Sequence, residues 1–159
     1  MYYLSQKSRN KLTGVHDDLI EVVNRAITIT SVDFGISQGI RTISQQKQLV
    51  QSGLSQTMKS RHLTGHAVDL FAYVDGEVSW EFDYYIEIAD AMLNACKSIS
   101  RLDRCEGIPI VWGAAWHKPL NQFTSALDAM MEYKELRKSQ GRTPFLDGVH
   151  FQLDWEAYP

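Results

Sequence analysis

Ser60-Arg61-His62-Leu63-Thr64-Gly65-His66-Ala67-Val68-Asp69, answered far along the chain by Asp147-Gly148-Val149-His150, contains the residue types that hold a metal and move a proton. Three histidines and two carboxylates in these short segments are enough for three metal ligands and one free base. A catalytic zinc takes three protein ligands of the His, Asp or Glu type, keeps a fourth position open for water, and works beside a carboxylate that handles the proton. The chemistry predicted is metal-assisted hydrolysis.

The elements that must position these groups are readable. Ala67 to Val74 is apolar apart from Asp69 and reads as a buried strand. An isolated ionised carboxylate among Ala67, Val68, Leu70 and Phe71 costs several kcal/mol unless a cation or good donors neutralise it, and a metal meets that need. In the second segment Val149, Phe151 and Leu153 alternate with His150 and Gln152 at the two-residue period of a strand, so one face is core and the other presents His150 and Gln152. Asp147 precedes that strand, on a loop able to aim it at a water beside the metal, which makes it the candidate general base. His66 competes with His62 as a ligand because it is nearer to Asp69. Residues three apart on one straight strand point to opposite faces, however, so His62, on a loop that can fold back, is the preferred ligand and His66 a packed or supporting residue. The plain alternative makes Asp69 a strand-end cap and Asp147 an ordinary turn residue before Gly148. His16 and His117 have no partner spacing and read as surface residues.

Ser60, His62, Gly65, Ala67 and Asp69, followed by Asp147 and His150, match the signature Ser-x-His-x-x-Gly-x-Ala-x-Asp and Asp/Glu-x-x-His. In this the chain resembles the zinc peptidases that include D-Ala-D-Ala carboxypeptidases and dipeptidases and the L-alanyl-D-glutamate peptidases of phage endolysins. Ser8 through Leu19 is similar to the opening of the endolysin branch, with Asp17 where proline is common. Gly39-Ile40-Arg41-Thr42 with Gln45-Gln46 and Ser52-Gly53-Leu54-Ser55 resembles another of its stretches, and Trp112-Gly113-Ala114 with Trp116 resembles its Trp-Gly-Gly-x-Trp. The resemblance implies that His62, Asp69 and His150 bind one zinc ion per chain, that Asp147 is the catalytic base and that Arg41 faces the scissile amide. It also implies cleavage of the L-alanyl-D-glutamate bond in the peptidoglycan stem peptide. Ser60, Gln152 and Trp116 are the candidate substrate contacts. About thirty residues separate Trp116 from Asp147 where the branch has a short connection, which predicts a helical insert at about 117–143.

With 159 residues, 44% hydrophobic and 22% charged, the chain is sized for a single catalytic domain, with no segment left over for a separate wall-binding module. A net charge of -3 argues against a nucleic-acid role, which needs a basic face. No apolar run approaches the roughly 20 residues of a membrane span. The start of the chain has no export signal, which fits a monomeric lysin held in the host bacterial cytoplasm until it is released to the cell wall. Cys96 and Cys105 read as reduced packing residues.

Helices are expected over Asp17 to Ile29, Gln45 to Gln51 with Ser44 as its cap, Trp80 to Ser98, and Asn121 to Lys138 with an apolar stripe of Phe123, Leu127, Met130 and Met131. Strands are expected over Gly35 to Ile40, Ala67 to Val74, Gly107 to Trp112 and the segment around His150. Uneven helix placement and few hairpin signals predict an α+β domain with a largely antiparallel central sheet, as the resemblance also implies. Three rival functions share parts of this reading. A carboxypeptidase trimming terminal D-Ala would need a pocket for a free carboxylate, a noncatalytic zinc domain would have no use for Asp147, and a His-metal nuclease would need basic surface beyond Lys59 and Arg61.

Overall fold

The computed structural model describes residues 1–100 and 107–159, so Cys105 lies outside the described residues. Helices α1 (Gln6–Lys11) and α2 (Asp17–Ile29) precede strand β1 (Asp33–Gln38), and α3 (Ile43–Gln51) and a 3₁₀ turn (Arg61–Thr64) lead into β2 (Ala67–Val74). The chain continues through β3 (Glu77–Ser79), α4 (Phe82–Ser98), β4 (Ile110–Trp112), α5 (Ala126–Ser139) and β5 (His150–Leu153). The strands form an antiparallel sheet in the order β1-β2-β5-β4, with β3 paired to the far end of β2. This is the α+β class that helix placement and the scarcity of hairpin signals predict.

The sheet packs against α2 and α4. Helix α2 turns Leu19, Val22, Val23, Ala26 and Ile27 inward at helical spacing, and α4 buries Ile88, Ala89, Met92, Leu93 and Cys96. They enclose Phe34, Ile36, Val68, Leu70, Phe151 and Leu153 from the strands in one core. Burial pushes the Cys96 thiol up to about 12, and its S–H donates to the Leu93 carbonyl, so this cysteine is an inert packing residue.

The structure moves several expected boundaries for identifiable reasons. Helix α3 begins under Thr42 and not Ser44: the Thr42 hydroxyl accepts from Gln45 N–H while the Gln45 side chain accepts from Thr42 N–H, a reciprocal cap that the one-residue view of Ser44 overlooks. Strand β1 starts two residues earlier than expected and stops at Gln38, and β3 is an unexpected strand created by a tight Asp75-Gly76 turn in which both residues have positive φ. Helix α5 starts at Ala126 under a Ser125 cap, after a 3₁₀ turn at Leu120–Gln122, and buries Ala126, Ala129, Met130 and Tyr133. Leu127 and Met131, assigned to its apolar stripe, are about half exposed, so the buried face is rotated toward the small residues. Helix α5 lies along α4, where Ala126 N–H donates to the Asp90 carboxylate at 2.7 Å.

His16 and His117 are also not the free surface residues expected. His16 caps α2, its Nδ1 accepting from Asp18 N–H, and packs edge-on against Tyr158. His117 is largely buried, stacks on Tyr133 and bonds Glu132 at 2.6 Å.

Candidate metal centre

Strand pairing assembles the site. Asp69 on β2 is directly opposite His150 on β5, so the sheet register alone sets these two residues side by side. His62 comes from the 3₁₀ turn just before β2. The Ser60 hydroxyl caps that turn by accepting from His62 N–H at 3.3 Å, and Arg41 N–H donates to the His62 carbonyl at 2.9 Å. Gly65 ends the turn in the left-handed region, φ 74°, and a Cβ there would overlap the Gly14 carbonyl, so only glycine lets the chain fold back into β2 at this point. On the other side of Asp69, β1 carries a register irregularity between Ile36 and Gln38, and Gln38 pairs with Asp69.

His62 Nε2 lies 3.2 Å and His150 Nδ1 3.1 Å from the same Asp69 oxygen, and the ligand atoms of the three residues are all within 4.8 Å of one another. His62 and His150 are buried, while Asp69 is partly open. The outer ring nitrogens of both histidines face acceptors, so each ring can carry its proton on the side away from this centre. Gly39 offers His62 Nδ1 a carbonyl at 2.8 Å, which can only accept, and the Gln152 oxygen takes His150 Nε2–H at 2.8 Å. In two neutral imidazoles so anchored, the inward nitrogens carry bare lone pairs. Three acceptors then converge with no donor among them, which calls for a cation.

Without that cation the charges of the cluster rearrange around protons. Burial pushes the Asp69 carboxyl up, but hydrogen bonds from His150 and His62 and their charge outweigh it and hold Asp69 well below the ordinary carboxylate range. Burial pulls His150 down, and its hydrogen bond with Asp69 and the charge of that carboxylate more than reverse this. The separations suit a small tetrahedral metal, whose N and O ligands at about 2.0–2.1 Å stand roughly 3.3 Å apart. Two histidines and one carboxylate are a donor set suited to zinc, and the same set accepts iron or cobalt.

Asp147 stands at the rim. Burial, and then the neighbouring charge of Asp69, push its carboxyl above the usual range, against the opposing influence of His150, His62 and Arg41. Among the described residues it has no side-chain hydrogen bond, so the carboxylate is held by its backbone alone: Asp147 N–H donates to Gly113 O at 2.7 Å, and its carbonyl accepts from His150 N–H. Gly113 N–H in turn donates to the His150 carbonyl at 2.8 Å, wedging residue 113 between the candidate base and a candidate ligand. A Cβ at Gly113 would overlap the Asp147 carbonyl and crowd its Cβ. Gly113→Ala is therefore expected to displace Asp147 and lower kcat/KM by roughly 100-fold, the cost of misplacing a catalytic group by about 1 Å, with metal content checked alongside. Activity within a few-fold of the parent would show that the Gly113 contact does not position the base.

Arg41 completes the group. Its Nη1 donates to Gln46 at 2.6 Å and more weakly to Ser60 at 3.4 Å, Nη2 donates to Gln38 at 2.7 Å, and Nη2 lies 3.9 Å from the second Asp69 oxygen. Gln46 is fully buried and is itself clamped by Ser55 and the Thr57 carbonyl. Burial lowers the Arg41 pKa while Asp69 and Asp147 oppose the shift, and a guanidinium keeps its charge throughout. Ser60 thus spends its hydroxyl on the His62 turn and Arg41, and Gln152 orients His150 from a buried position. Trp116 lies beside His150, ring centroids 5.2 Å apart. His66 is turned away, bonding Thr64 at 2.7 Å beside the His16 ring. The orienting roles of Gly39, Gln38, Gln46 and Gln152 were not foreseen. Gln45-Gln46 stood in the motif, but nothing local marks a glutamine as buried.

A family model described as phage L-alanyl-D-glutamate peptidase matches residues 1–153. The L-alanyl-D-glutamate peptidase of Escherichia phage T5 is 31% identical over 120 residues, which cover 73% of this chain and 82% of the phage protein. The crystal structure of Serratia marcescens L-Ala D-Glu endopeptidase ChiX superposes with a TM-score of 0.71 at 37% identity, covering 97% of this chain and 91% of that one.

Proposed function

The chain belongs to the phage L-alanyl-D-glutamate peptidase family, and from that membership we propose that it is a zinc-dependent peptidoglycan endopeptidase cutting the amide between L-alanine and D-glutamate in the stem peptide. The observation that carries the metal part of this reading is that His62 Nε2 and His150 Nδ1 converge on Asp69 Oδ1 while the outer nitrogen of each ring faces an acceptor able to take its proton, an arrangement that offers three lone pairs to one cation. When bound there, zinc supplies a Lewis acid and lowers the pKa of water toward neutrality.

The residues of the chain do the rest. Asp147 accepts the proton of the attacking water on its carboxylate and then delivers it to the nitrogen of the departing glutamate. Arg41, fixed by Gln38, Gln46 and Ser60, places a permanent positive charge where the carbonyl oxygen gains negative charge. Because its donors are already aligned, it needs little reorganisation. Gly39 and Gln152 keep the histidine rings in one tautomer and one orientation.

The proposed setting is a monomeric lysin, made in the host bacterial cytoplasm and acting on the wall after release. No helix among the described residues is long and apolar enough to cross a membrane. Mass spectrometry of fragments released from purified, cross-linked peptidoglycan tests the reaction. The expected result is a new N-terminal glutamate with L-alanine left on the glycan. Loss of D-alanine alone would replace this reading with that of a carboxypeptidase, and no new termini would favour a binding role.

A further inference from the structure

The strand order lays the site out in a line. Arg41 follows β1, Asp69 sits on β2, His150 on β5, and Trp116 follows β4, so the guanidinium and the indole stand on opposite flanks of the metal centre. Beyond Trp116 comes a further ring. Phe145 stacks on Trp116 with centroids 6.2 Å apart and planes 17° from parallel, so that His150, Trp116 and Phe145 form a row leading away from the ligands.

Phe145 is an exposed ring on a fixed backbone. Its carbonyl accepts from Trp116 Nε1–H at 3.1 Å, its N–H donates to the Tyr133 hydroxyl at 3.3 Å, and Pro144 precedes it. Yet 62% of the residue is open to solvent, and it lies two positions before the catalytic base. A rigidly presented aromatic face beside a reaction centre suits the apolar C–H face of a sugar ring.

Resting on the endopeptidase reading above, we infer that the Trp116–Phe145 stack is the subsite for the muramic acid ring. The substrate then crosses the strand ends with its alanine end on the β4 flank and its glutamate on the Arg41 flank. In peptidoglycan the amino group of L-alanine is joined to the lactyl group of this sugar, so alanine and lactyl together span about 7 Å from the scissile carbon to the ring, the reach of two residues. Charge selects the same direction. The free carboxylate of D-glutamate is drawn to the flank that carries Arg41, where exposed Lys59 directly precedes Ser60, the residue that Arg41 Nη1 reaches at 3.4 Å, and the uncharged sugar falls on the aromatic flank.

The test compares two substrates, the stem peptide alone and the same peptide carrying N-acetylmuramic acid. The parent protein is expected to favour the sugar-bearing substrate in kcat/KM by about tenfold, the scale of one good aromatic contact. Phe145→Ala collapses that ratio toward one, and Phe145→Trp restores it, while thermal melting shows the variants folded. A parent ratio near one, or a ratio unchanged in Phe145→Ala, overturns the sugar subsite. A Phe145 effect that follows lengthening of the peptide beyond glutamate reverses the direction and also overturns it. Failure of the parent to cut either substrate rejects the endopeptidase reading itself.

Discussion

Asp147→Asn is expected to lower kcat/KM by between about 10²- and 10⁴-fold with the metal still in place, the range by which a positioned general base accelerates proton transfer. The amide matches the carboxylate in shape, so the loop from Gly113 to His150 and its backbone bonds survive. What disappears is the ability to take a proton. The substitution should not unfold the protein, and the sign follows from the pKa. Burial and the charge of Asp69 push the Asp147 carboxyl upward, so its ionised form is disfavoured in the folded state, and a neutral side chain relieves that repulsion. Melting temperature of the metal-free variant should stay level with that of the metal-free parent or rise. Metal analysis separates roles, since a base can be lost with about one metal per chain retained, whereas a ligand cannot. Activity within tenfold of the parent, or loss of metal in this variant, would remove Asp147 from the role of base.

How much of this site could be read before folding depends on the range of the interactions. Helix α2 and strand β2 have the expected bounds because their signals are periodic and local. The convergence of His62, Asp69 and His150 was legible because the motif encodes a local turn, Ser60 to Gly65, and one strand register, Asp69 opposite His150. The groups that orient the trio were not legible. Gln152 alternates with the core residues and looked free to meet substrate, but its oxygen belongs to His150, and all four β5 residues are buried because β2 and β4 flank the strand on both sides. Gln46 and His117 read as ordinary polar residues because their partners, Arg41 with Thr57 and Glu132 with Tyr133, are brought to them by loops and helix packing that no periodicity reports.

The same contrast explains the architecture of the centre. The sheet supplies positions, and short polar segments supply orientation. Two strands bring Asp69 and His150 together at a separation fixed by backbone pairing, while one carbonyl and one amide oxygen stand ready to accept the outer proton of each ring. Loss of an orienting group would therefore weaken the centre without dismantling the sheet, whereas loss of a proposed ligand is expected to remove the cation that would offset three converging acceptors.

That distinction predicts the behaviour of Asp69→Asn and of the chelated protein. Removing metal with a chelator should abolish hydrolysis, and adding zinc back should restore it in the parent but not in Asp69→Asn. The variant keeps the size of the side chain and its place opposite His150, but the neutral amide is a poor ligand and cannot offset the cation's charge. A thermal readout stands apart from activity. A ligand that binds only the folded state stabilises it by about 4 kcal/mol at a thousand times its dissociation constant. For a domain of this size each kcal/mol raises Tm by about 2–4 °C, so the zinc-loaded parent should melt roughly 10 °C above its chelated form. Asp69→Asn should show little of that rise. The chelated parent should also lose stability as pH increases, because His150 is held above its ordinary value and its proton, which stands in for the cation beside Asp69, is released as pH climbs through that raised value. Equal melting with and without zinc, together with undiminished hydrolysis after chelation, would show that His62, Asp69 and His150 do not form a working metal site.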